Sequence, residues 1–489
     1  MEKLSQKDIG WKLDSSYTQL PEIFYQHQIP APVPGAKLIY FNYDLAKSIG
    51  LTIDAANKTL LTNQLAGNER INNSNPISQA YAGHQFGHFT MLGDGRAILL
   101  GEQVTPNQKL VDIQLKGAGQ TPFSRRGDGK ATLRSMLREY LMSEAMFHLG
   151  IPTSRSLAVV STGEKVYREI PHQGAVLTRL MSSHIRVGTF EYAHYFHGKN
   201  ATQELLNYSI LRHYPELAAT ANPALSFLEK LMDKQLTLII QWIRVGFIHG
   251  VMNTDNTSIA GETFDYGPWA FMNAYHPDTV FSSIDTNGRY AFGQQPSISH
   301  WNLACLAETL LPLIDENAEK AMELAQNILN QFPDKYHANW WKLYANKLGF
   351  LEADTEVKSL IQELLTWMQK NKADYTNTFL FLNQRLSLPH QQYYAPDFEK
   401  WMQQREKLLH QRKLNTHVVN ELMNANNPCY VPRNHLVEKV LDAACLENNF
   451  EEMTRFLSVL ATPYNFNENL SAYQEVPKND EGYKTYCGT

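Results

Sequence analysis

The sequence predicts an α+β protein with two lobes, an N-terminal segment that wraps around them and a large helical C-terminal extension. Two patterns support this class: residues 79–180 alternate short strand-like runs around one helix, whereas residues 181–300 hold a long amphipathic helix followed by a polar loop. At 489 residues the chain is too long for one compact core. We therefore expect four parts, 1–78, 79–180, 181–300 and 301–489, the last almost wholly helical.

The strand-rich part is predicted from alternation of apolar and polar residues. The stretches RAILLGEQV and KLVDIQLKG both read as strands, and in the second Val111, Ile113 and Leu115 lie on the face opposite Lys116. The following GDGKATLRSMLREYLMSEAMFHLGIP repeats apolar residues at helical spacing and ends at Gly150. Strand character returns in SLAVVST and AVLTRLM.

Composition excludes several classes of protein. The net charge is −5, and the basic residues form no stripe, so we expect no nucleic-acid partner. The apolar runs fall short of the roughly 18 residues that a membrane helix needs, so we expect no membrane. The start, MEKLSQKDIGWKLD, lacks the apolar core of a signal peptide, and the four cysteines include no CxxC pair. Together these features predict a cytoplasmic protein.

The loop HGVMNTDN, His249 to Asn256, aligns without gaps with the HGDxxxxN catalytic loop of small-molecule kinases. Asp265, nine residues further on, falls where such enzymes carry a metal-binding aspartate. An amide oxygen and a carboxylate are the hard ligands that a metal–triphosphate site needs. Val251 replaces the aspartate that serves as catalytic base, although Asp255 supplies a carboxylate nearby. The alternative is that NTDN is only a turn rich in Asn and Asp.

Lys116 is the candidate phosphate-binding lysine. It ends a predicted strand, and the helix after it carries Glu139 on the shoulder of its apolar stripe. A strand lysine paired with a helix glutamate orients phosphates in kinases. A strand-rich lobe with one helix, followed by a helical lobe with a polar loop, is the layout of a protein-kinase-like fold. The alternative is an exposed lysine at a strand end.

Two glycine-bearing turns flank this lysine, GDGRA (93–97) and RRGDGK (125–130). Glycines let backbone amides approach an anion closely, and neighbouring arginines add charge. Arg179 and Arg186 form a further candidate phosphate clamp. Each turn alone is weak support, since GDG is a common β-turn.

Two other patterns receive a structural interpretation. His84 and His88 have the spacing of a helical zinc pair, but Gly83 and Gly87 disfavour a helix, and we expect hydrogen-bonded structural roles. The stretch EKWMQQREKLLHQRK is predicted to be a surface helix with charges of both signs.

Several motifs together resemble the selenoprotein O (SelO, also YdiU) family of protein adenylyltransferases. They are AGHQFGHF, LGDGRA, LKGAGQTPFSRRGDGKA, LRSMLREYL, GIPTSRSLAV, HGVMNTDN, DYGP and the C-terminal YKTYCGT. The match runs from about residue 80 to the end, with further agreement in VPGAKLIYFNYDLA. The resemblance implies a kinase-like fold that binds ATP in reverse, with the γ-phosphate buried, and transfers AMP to protein hydroxyl groups.

The resemblance also implies roles for individual residues. Nucleotide contacts are expected from Gly93, Gly95, Arg96, Lys116, Asp128, Gly129, Arg179, Arg186 and Asp265. Asp255 is expected to accept a proton, and Asn256 and Asp265 to bind the metal. Cys487 stands where animal members carry selenocysteine, which implies redox control. However, no cysteine lies between Asn256 and Cys305 to serve as an obvious disulfide partner.

The sequence therefore predicts a cytoplasmic enzyme that uses Mg²⁺ or Mn²⁺ to move AMP from ATP onto serine, threonine or tyrosine of protein substrates, releasing pyrophosphate. The alternatives are UMP transfer by the same site, an ordinary phosphotransferase in which Asp255 replaces the missing base, and a non-catalytic nucleotide-binding scaffold. Val251 disfavours the ordinary kinase. The retention of Lys116, Asn256 and Asp265 disfavours the scaffold, which needs no complete metal site.

Overall fold

The computed structural model describes residues 9–386, 391–477 and 482–486. Its strands are β1 (Leu13–Asp14), β2 (Tyr25–His27), β3 (Lys37–Phe41), β4 (Ile77–Gln79), β5 (Ala82–Gln85), β6 (His88–Met91), β7 (Ala97–Val104), β8 (Leu110–Lys116), β9 (Ala131–Thr132), β10 (Arg155–Tyr167), β11 (Pro171–Met181), β12 (Phe247–Ile248) and β13 (Ala270–Phe271). Nine of these strands form one antiparallel sheet in the order β2-β4-β7-β8-β11-β10-β3, with β1 beside β7 and β9 beside β11.

The described chain also contains fifteen α-helices. They are α1 (Tyr43–Ser48), α2 (Lys58–Ala66), α3 (Leu133–His148), α4 (Val187–Tyr192), α5 (Gly198–His213), α6 (Pro223–Val245), α7 (Gln295–Ile314), α8 (Ala318–Leu329), α9 (Phe332–Lys347), α10 (Thr355–Lys370), α11 (Tyr375–Leu382), α12 (Pro396–Gln411), α13 (Thr416–Asn426), α14 (Asn434–Leu446) and α15 (Glu451–Leu460). None of these described helices combines the length and apolar character needed to cross a membrane.

The centre of the sheet is the predicted strand pair with its helix. β8 lies between β7 and β11, so that Lys116 is opposite Ala97 on one side and Leu177 on the other. Helix α3 begins where the Thr132 side chain accepts a hydrogen bond from the Ser135 amide, which satisfies an otherwise unpaired donor of the first turn. The helix packs on β10 and β11. The predictions of these strands and of this helix are confirmed.

Strands from the N-terminal segment extend both edges of the sheet. β2 pairs with β4 at one edge, and β3 pairs with β10 at the other. Helices α1 and α2 share an apolar cluster with Ile113 and Leu115 of β8. The segment thus contacts the sheet at its edges and on one face, while the boundaries at 78, 180 and 300 stay predictions.

Helix α6 and the loop after it form the floor of the second part. The Asn222 side chain caps the helix, Pro223 stands in its first turn, and Gly246 ends it in the left-handed conformation with φ of +75°. β12 follows at once and pairs with β13, so the polar loop between them is held at both ends. The predicted α+β class with a kinase-like layout is confirmed, since a strand-rich part with helix α3 is followed by a helical part that carries this loop.

The C-terminal helix α14 contacts helix α3 of the strand-rich part. Arg138 of α3 donates to Glu438 of α14 at 2.8 Å, and Arg134 pairs with Asp442 at 2.6 Å. Helix α12 includes residues 399–411 of the charged surface helix predicted over 399–413, and its Phe398, Trp401, Arg405 and Leu409 are buried. Helix α12 is therefore amphipathic and packs one face against the rest of the protein.

Candidate active site

A cleft of about 860 Å³ lies between the sheet and the helical part. Its walls are the end of β8, helix α3, the two glycine turns, the loop 251–256 and the stretch 265–268. The predicted site residues that line it are Gly95, Arg96, Lys116, Asp128, Gly129, Glu139, Arg179, Asp255, Asn256 and Asp265. Folding thus brings together residues that are far apart in the sequence.

At the inner end of the cleft, two cations and two carboxylates form a closed network. Lys116 Nζ donates to Glu139 Oε2 and to Asp265 Oδ1, both at 2.7 Å. Arg179 donates to the same Asp265 Oδ1 at 2.7 Å and to Glu139 Oε1 at 3.2 Å. The predicted pairing of Lys116 with Glu139 is therefore present.

Strand register explains why these side chains converge. Lys116 and Gln114 are two residues apart in β8 and so lie on one face, and Arg179 of β11 is directly opposite Gln114. Gln114 Oε1 accepts hydrogen bonds from Arg179 Nε at 3.1 Å and Nη2 at 2.6 Å. The amide thereby holds the guanidinium in place beside the lysine.

Asp265 is held in an uncommon backbone conformation, with φ of +58°. Burial alone would raise the pKa of its carboxyl group, but the charges of Lys116 and Arg179 outweigh this and keep the pKa well below its usual value. Both cations bind Oδ1. Among the described residues no hydrogen-bond donor reaches Oδ2, so this oxygen could bind a metal ion.

The loop residues Asp255 and Asn256 stand opposite this network. They belong to a single turn of 3₁₀ helix, Thr254–Asn256. The Asn256 amide nitrogen donates to the Val251 carbonyl at 3.1 Å, and its amide oxygen could bind a cation. Asn256 and Asp265 together offer two hard oxygen ligands, the kind that Mg²⁺ and Mn²⁺ prefer. The donor set thus fits a divalent metal.

Asp255 is a buried carboxylate whose charge is opposed by burial more strongly than Arg186 and Gln85 stabilise it. Its Oδ1 has no hydrogen-bond partner among the described residues, and the residue is 8% exposed. Burial raises its pKa to about 6. The backbone of Gly83 packs so closely that a methyl group there would lie 2.6 Å from Asp255 Oδ1. The carboxylate is therefore positioned by packing and remains available to a proton donor.

Two predicted phosphate contacts lie behind the cleft wall. Arg186 is 1% exposed, its Nη2 is 3.7 Å from Asp94 Oδ1, and its guanidinium lies 3.9 Å from the centre of the Tyr81 ring. Gly93 has φ of +141°, and a Cβ there would overlap the ring of Phe123 at 2.3 Å. Neither residue lines the cleft itself, whereas Tyr81 and Asp94 do.

The second glycine turn lies at the outer edge of the cleft. Asp128 accepts two hydrogen bonds from Arg168, at 2.9 and 3.1 Å, and one from the Lys130 amide at 3.0 Å. The hydrogen bond from Arg168 is the main reason why the pKa of Asp128 is lowered. Asp128 therefore fixes a cationic side chain at the rim, and Arg168 adds a positive charge to the site.

Several residues of the site were not predicted from the sequence. They are Tyr81, Asp94, Gln114, Asn253 and Arg168. Gln114 could have been predicted, because it is two residues from Lys116 and so lies on the same face of the strand. Asp94 could also have been predicted, because it lies inside the GDGRA turn. Asn253 Oδ1 accepts from the Phe86 amide at 3.1 Å and from Tyr290 OH at 2.5 Å, contacts that only the folded chain creates.

His84 is not on a helix. It lies in the hairpin of β5 and β6, where it is opposite Phe89, while His88 is opposite Gln85. His84 Nδ1 is 2.5 Å from Glu191 Oε1, and the backbone amide of His84 donates to Thr254 Oγ1 at 2.7 Å. The expected hydrogen bonding of His84 is thus observed, and the helical spacing of a zinc pair is not.

Part of the C-terminal tail borders the cleft. Residues 483–486 line it, and Thr485 exchanges backbone hydrogen bonds with Phe281 at 2.8 Å and Ser283 at 3.0 Å. The Thr485 hydroxyl donates to the Pro268 carbonyl at 2.7 Å. Cys487 lies outside the described residues, so its redox role stays a prediction. The cysteines at 305, 429 and 445 form no disulfide.

Comparison with known proteins identifies the family. The sequence profile of the family described as "Protein adenylyltransferase SelO" matches residues 9–461. The chain belongs to the SelO family. A Bacillus cytotoxicus protein named "Protein nucleotidyltransferase YdiU" is 48% identical over 488 residues, covering 100% of this chain and 99% of the relative. A Shouchella clausii protein of the same name is 50% identical over 482 residues, covering 98% and 99%. The resemblance predicted from the motifs is confirmed.

Among solved structures, one match is a Toxoplasma gondii virulence factor described as having a protein-kinase fold and no enzymatic activity. The match covers 69% of this chain and 88% of the Toxoplasma chain. The identity is 12% and the TM-score is 0.22, so this match carries no weight for fold or function.

Proposed function

We propose that the protein transfers AMP from ATP to serine, threonine or tyrosine hydroxyl groups of other proteins, using Mg²⁺ or Mn²⁺ and releasing pyrophosphate. The family description and the names of the relatives support nucleotidyl transfer to proteins. The observation that carries the proposal is the buried network of Lys116, Arg179, Glu139 and Asp265, with Asp255 facing it across the cleft.

The charge balance of the network supports binding of a metal-bound triphosphate. Lys116 and Arg179 are already matched by Glu139 and Asp265, so the four side chains are close to neutral. A triphosphate adds several negative charges to a site from which most water is excluded, and it needs a further cation. Asn256 and Asp265 would hold that metal ion, which supplies charge neutralisation to the phosphates when bound.

The depth of the cations supports burial of the terminal phosphates. Lys116 is 5% exposed and Arg179 is 2% exposed, whereas Arg168 stands at the rim. The terminal phosphate carries the most negative charge, and its attraction to a cation is strongest where the cation is buried, as Lys116 and Arg179 are. The α-phosphorus would then lie nearer the mouth. Val251 replaces the base that an ordinary kinase places beside its γ-phosphate.

In the proposed reaction, the substrate hydroxyl transfers its proton to the Asp255 carboxylate and its oxygen bonds to the α-phosphorus. The bond from that phosphorus to the bridging oxygen breaks, and pyrophosphate leaves with the electron pair. The unpaired Oδ1 of Asp255 and the raised pKa of its carboxyl suit a general base. Lys116 and Arg179 stabilise the charge that develops on the leaving group.

Labelled nucleotides test the proposal directly. The purified protein is incubated with Mg²⁺ or Mn²⁺, a nucleotide-depleted cytosolic protein extract and ATP labelled in either the α- or the γ-phosphate. We expect α-label to become covalently bound to protein, with a mass gain of one AMP, and γ-label to appear in pyrophosphate. Protein-bound γ-label alone would instead establish a kinase.

Matched reactions distinguish AMP transfer from UMP transfer and from nucleotide binding without catalysis. The same extract with α-labelled UTP measures the preference between AMP and UMP. Bound nucleotide without any incorporated label, from either ATP or UTP, would establish a scaffold. Asp265→Ala protein in each reaction corrects for transfer by enzymes of the extract.

We also infer a cytoplasmic location and no nucleic-acid partner. The three described cysteines are free, which fits a reducing compartment, and a net charge of −5 offers no general attraction to nucleic acid.

A further inference from the structure

A second cluster of ligand-type side chains lies behind the catalytic loop. His84 of β5, Glu191 of α4 and Cys305 of α7 bring Nδ1 or Nε2, a carboxylate oxygen and Sγ within 4.8 Å of one another. Within residues 9–386, 391–477 and 482–486, no other three side chains of His, Cys, Asp or Glu approach so closely. The cluster is separate from the cleft, whose lining includes none of the three.

The three donor atoms suit a tetrahedral metal ion of borderline softness. Zn²⁺ binds nitrogen, oxygen and sulfur at about 2.0–2.3 Å, which places ligand atoms roughly 3.3–3.8 Å apart. The ligand atoms lie within 4.8 Å of one another, so binding needs side-chain shifts of at most about 1 Å. An ion would also replace the 2.5 Å hydrogen bond between His84 and Glu191 and lengthen that separation by about 1 Å. The imidazole side chain is 20% exposed and the Glu191 side chain 0%, so an ion would enter past the histidine.

The charges around the cluster favour a cation. Burial raises the pKa of Glu191 and brings that of the Cys305 thiol to about 12, and in both cases the charge of Glu308 contributes in the same direction. Glu308 lies three residues after Cys305 on the same helix, within one turn. Arg289 partly offsets these charges, and its guanidinium lies 4.8 Å from the centre of the Trp301 ring. A divalent ion would stabilise the buried carboxylate and convert the thiol to a thiolate.

We propose that His84, Glu191 and Cys305 form a second metal site, for Zn²⁺ or a similar transition-metal ion, that is distinct from the site of Asn256 and Asp265. The fourth position belongs to water. Binding releases the Cys305 thiol proton to solvent, and sulfur, carboxylate oxygen and imidazole nitrogen each donate an electron pair to the ion. This inference does not depend on the proposed AMP transfer.

The site would stabilise the catalytic loop from behind. Thr254 Oγ1 accepts from the His84 amide at 2.7 Å and donates to Glu191 Oε2 at 2.5 Å, and Thr254 directly precedes Asp255. An ion bound to Glu191 Oε1 would therefore join β5, α4 and α7 around the turn that carries the proposed base. The metal has a positioning role and does not touch the substrate.

Cobalt titration of the full-length, metal-free, reduced protein tests the site, because Co²⁺ replaces Zn²⁺ and its bond to thiolate gives a near-ultraviolet charge-transfer band. We expect one equivalent of Co²⁺ to produce this band and Zn²⁺ to abolish it, since Zn²⁺ generally binds such sites more tightly. Cys305→Ser should remove the band, and His84→Ala should weaken Co²⁺ binding on the order of tenfold or more.

Matched variants exclude two of the three other thiols and the first metal site. Cys445→Ser and Cys487→Ser should each keep the band, and so should Asp265→Asn, because its site offers only oxygen ligands. A wild-type protein without a thiolate band, or a band that persists in Cys305→Ser, would overturn the proposal. If Cys305→Ser unfolds, Cys305→Ala together with circular dichroism provides the same test in a folded protein.

Discussion

Lys116 and Asp265 are 149 residues apart in the chain, and Lys116 Nζ donates to Asp265 Oδ1 at 2.7 Å. This contact joins the end of a central strand to the loop after β12, and Arg179 reaches the same oxygen. Because two buried cations share one carboxylate oxygen, the position of Asp265 depends on the sheet as much as on its own loop. The other oxygen of Asp265 is left to the proposed metal.

Replacing Asp265 by alanine should lower the rate of nucleotidyl transfer by at least about a hundredfold. It should also weaken Mg²⁺-dependent ATP binding. The reason is that the phosphates lose a metal ligand while Lys116 and Arg179 lose their shared partner. Calorimetric ATP titration with and without Mg²⁺ measures the effect. Asn256→Ala should reduce the Mg²⁺ dependence in the same direction. Full activity in Asp265→Ala would contradict the metal assignment.

Replacing Asp255 by alanine should lower the transfer rate far more than ATP affinity, by on the order of a hundredfold or more in kcat. A general base acts on the incoming hydroxyl group and contributes little to holding the nucleotide. Single-turnover transfer and equilibrium ATP binding, measured on the same preparation, separate the two effects. Equal losses in rate and affinity would make Asp255 a binding residue.

Gly83→Ala should lower the transfer rate by displacing Asp255. The added methyl group would lie 2.6 Å from Asp255 Oδ1 and 2.9 Å from its Cβ, closer than such atoms approach, and we expect a loss of about 1–3 kcal/mol in the free energy of unfolding. Gly198→Ala is the control, because no atom lies within 4 Å of its added methyl and only backbone strain at φ of +79° remains. If both variants keep wild-type rates, close packing at Gly83 does not position the base.

Glu262 should make the protein less stable as the pH rises from about 5 to 8. Burial raises its pKa from 4.5 to about 7, although its carboxylate accepts from the Ser182 amide at 3.1 Å and the Ser182 hydroxyl at 2.5 Å. The folded state therefore binds the proton more tightly, so this stabilisation is complete below pH 4.5 and is lost as the pH passes about 7.

The magnitude is at most about 3 kcal/mol, since one unit of pKa difference corresponds to about 1.4 kcal/mol, and partial solvent access reduces it. Urea unfolding at several pH values checks this in the wild type and in Glu262→Gln, which cannot ionise. The wild-type free energy of unfolding should fall relative to the variant above pH 5. Parallel curves would show that Glu262 does not titrate in this range.

Local patterns predicted the elements of the fold well. The alternation around Val111 to Lys116 matches β8, and the apolar spacing after Thr132 matches α3, because both patterns reflect which face of an element is buried. The pairing of Lys116 with Glu139 followed from the order of strand and helix. These predictions rest on residues that are close together in the chain, and their spacing can be seen in the sequence itself.

Predictions that required the folding of distant segments were incomplete. The glycines near His84 disfavoured a helix, but the sequence contained no sign that β5 would bring this histidine to Glu191 and Cys305. Likewise, the sequence did not show that Arg186 would lie against Tyr81 and near Asp94, while its expected phosphate contact stays a prediction. Burial of a long side chain depends on what packs over it, and here that is Tyr81, which lies between β4 and β5 and more than a hundred residues earlier in the chain.

The sequence by itself determined the family, the α+β class and the residue types of the site, because these depend on motifs and on local periodicity. Only the tertiary structure decided that Arg179 shares Asp265 with Lys116, that Gly83 packs against Asp255, and that a second ligand cluster forms behind the loop. The physical reason is that such contacts arise from strand register and helix packing between segments far apart in the chain. These contacts therefore depend on the whole fold, whereas a sequence motif contains only residues that are adjacent in the chain.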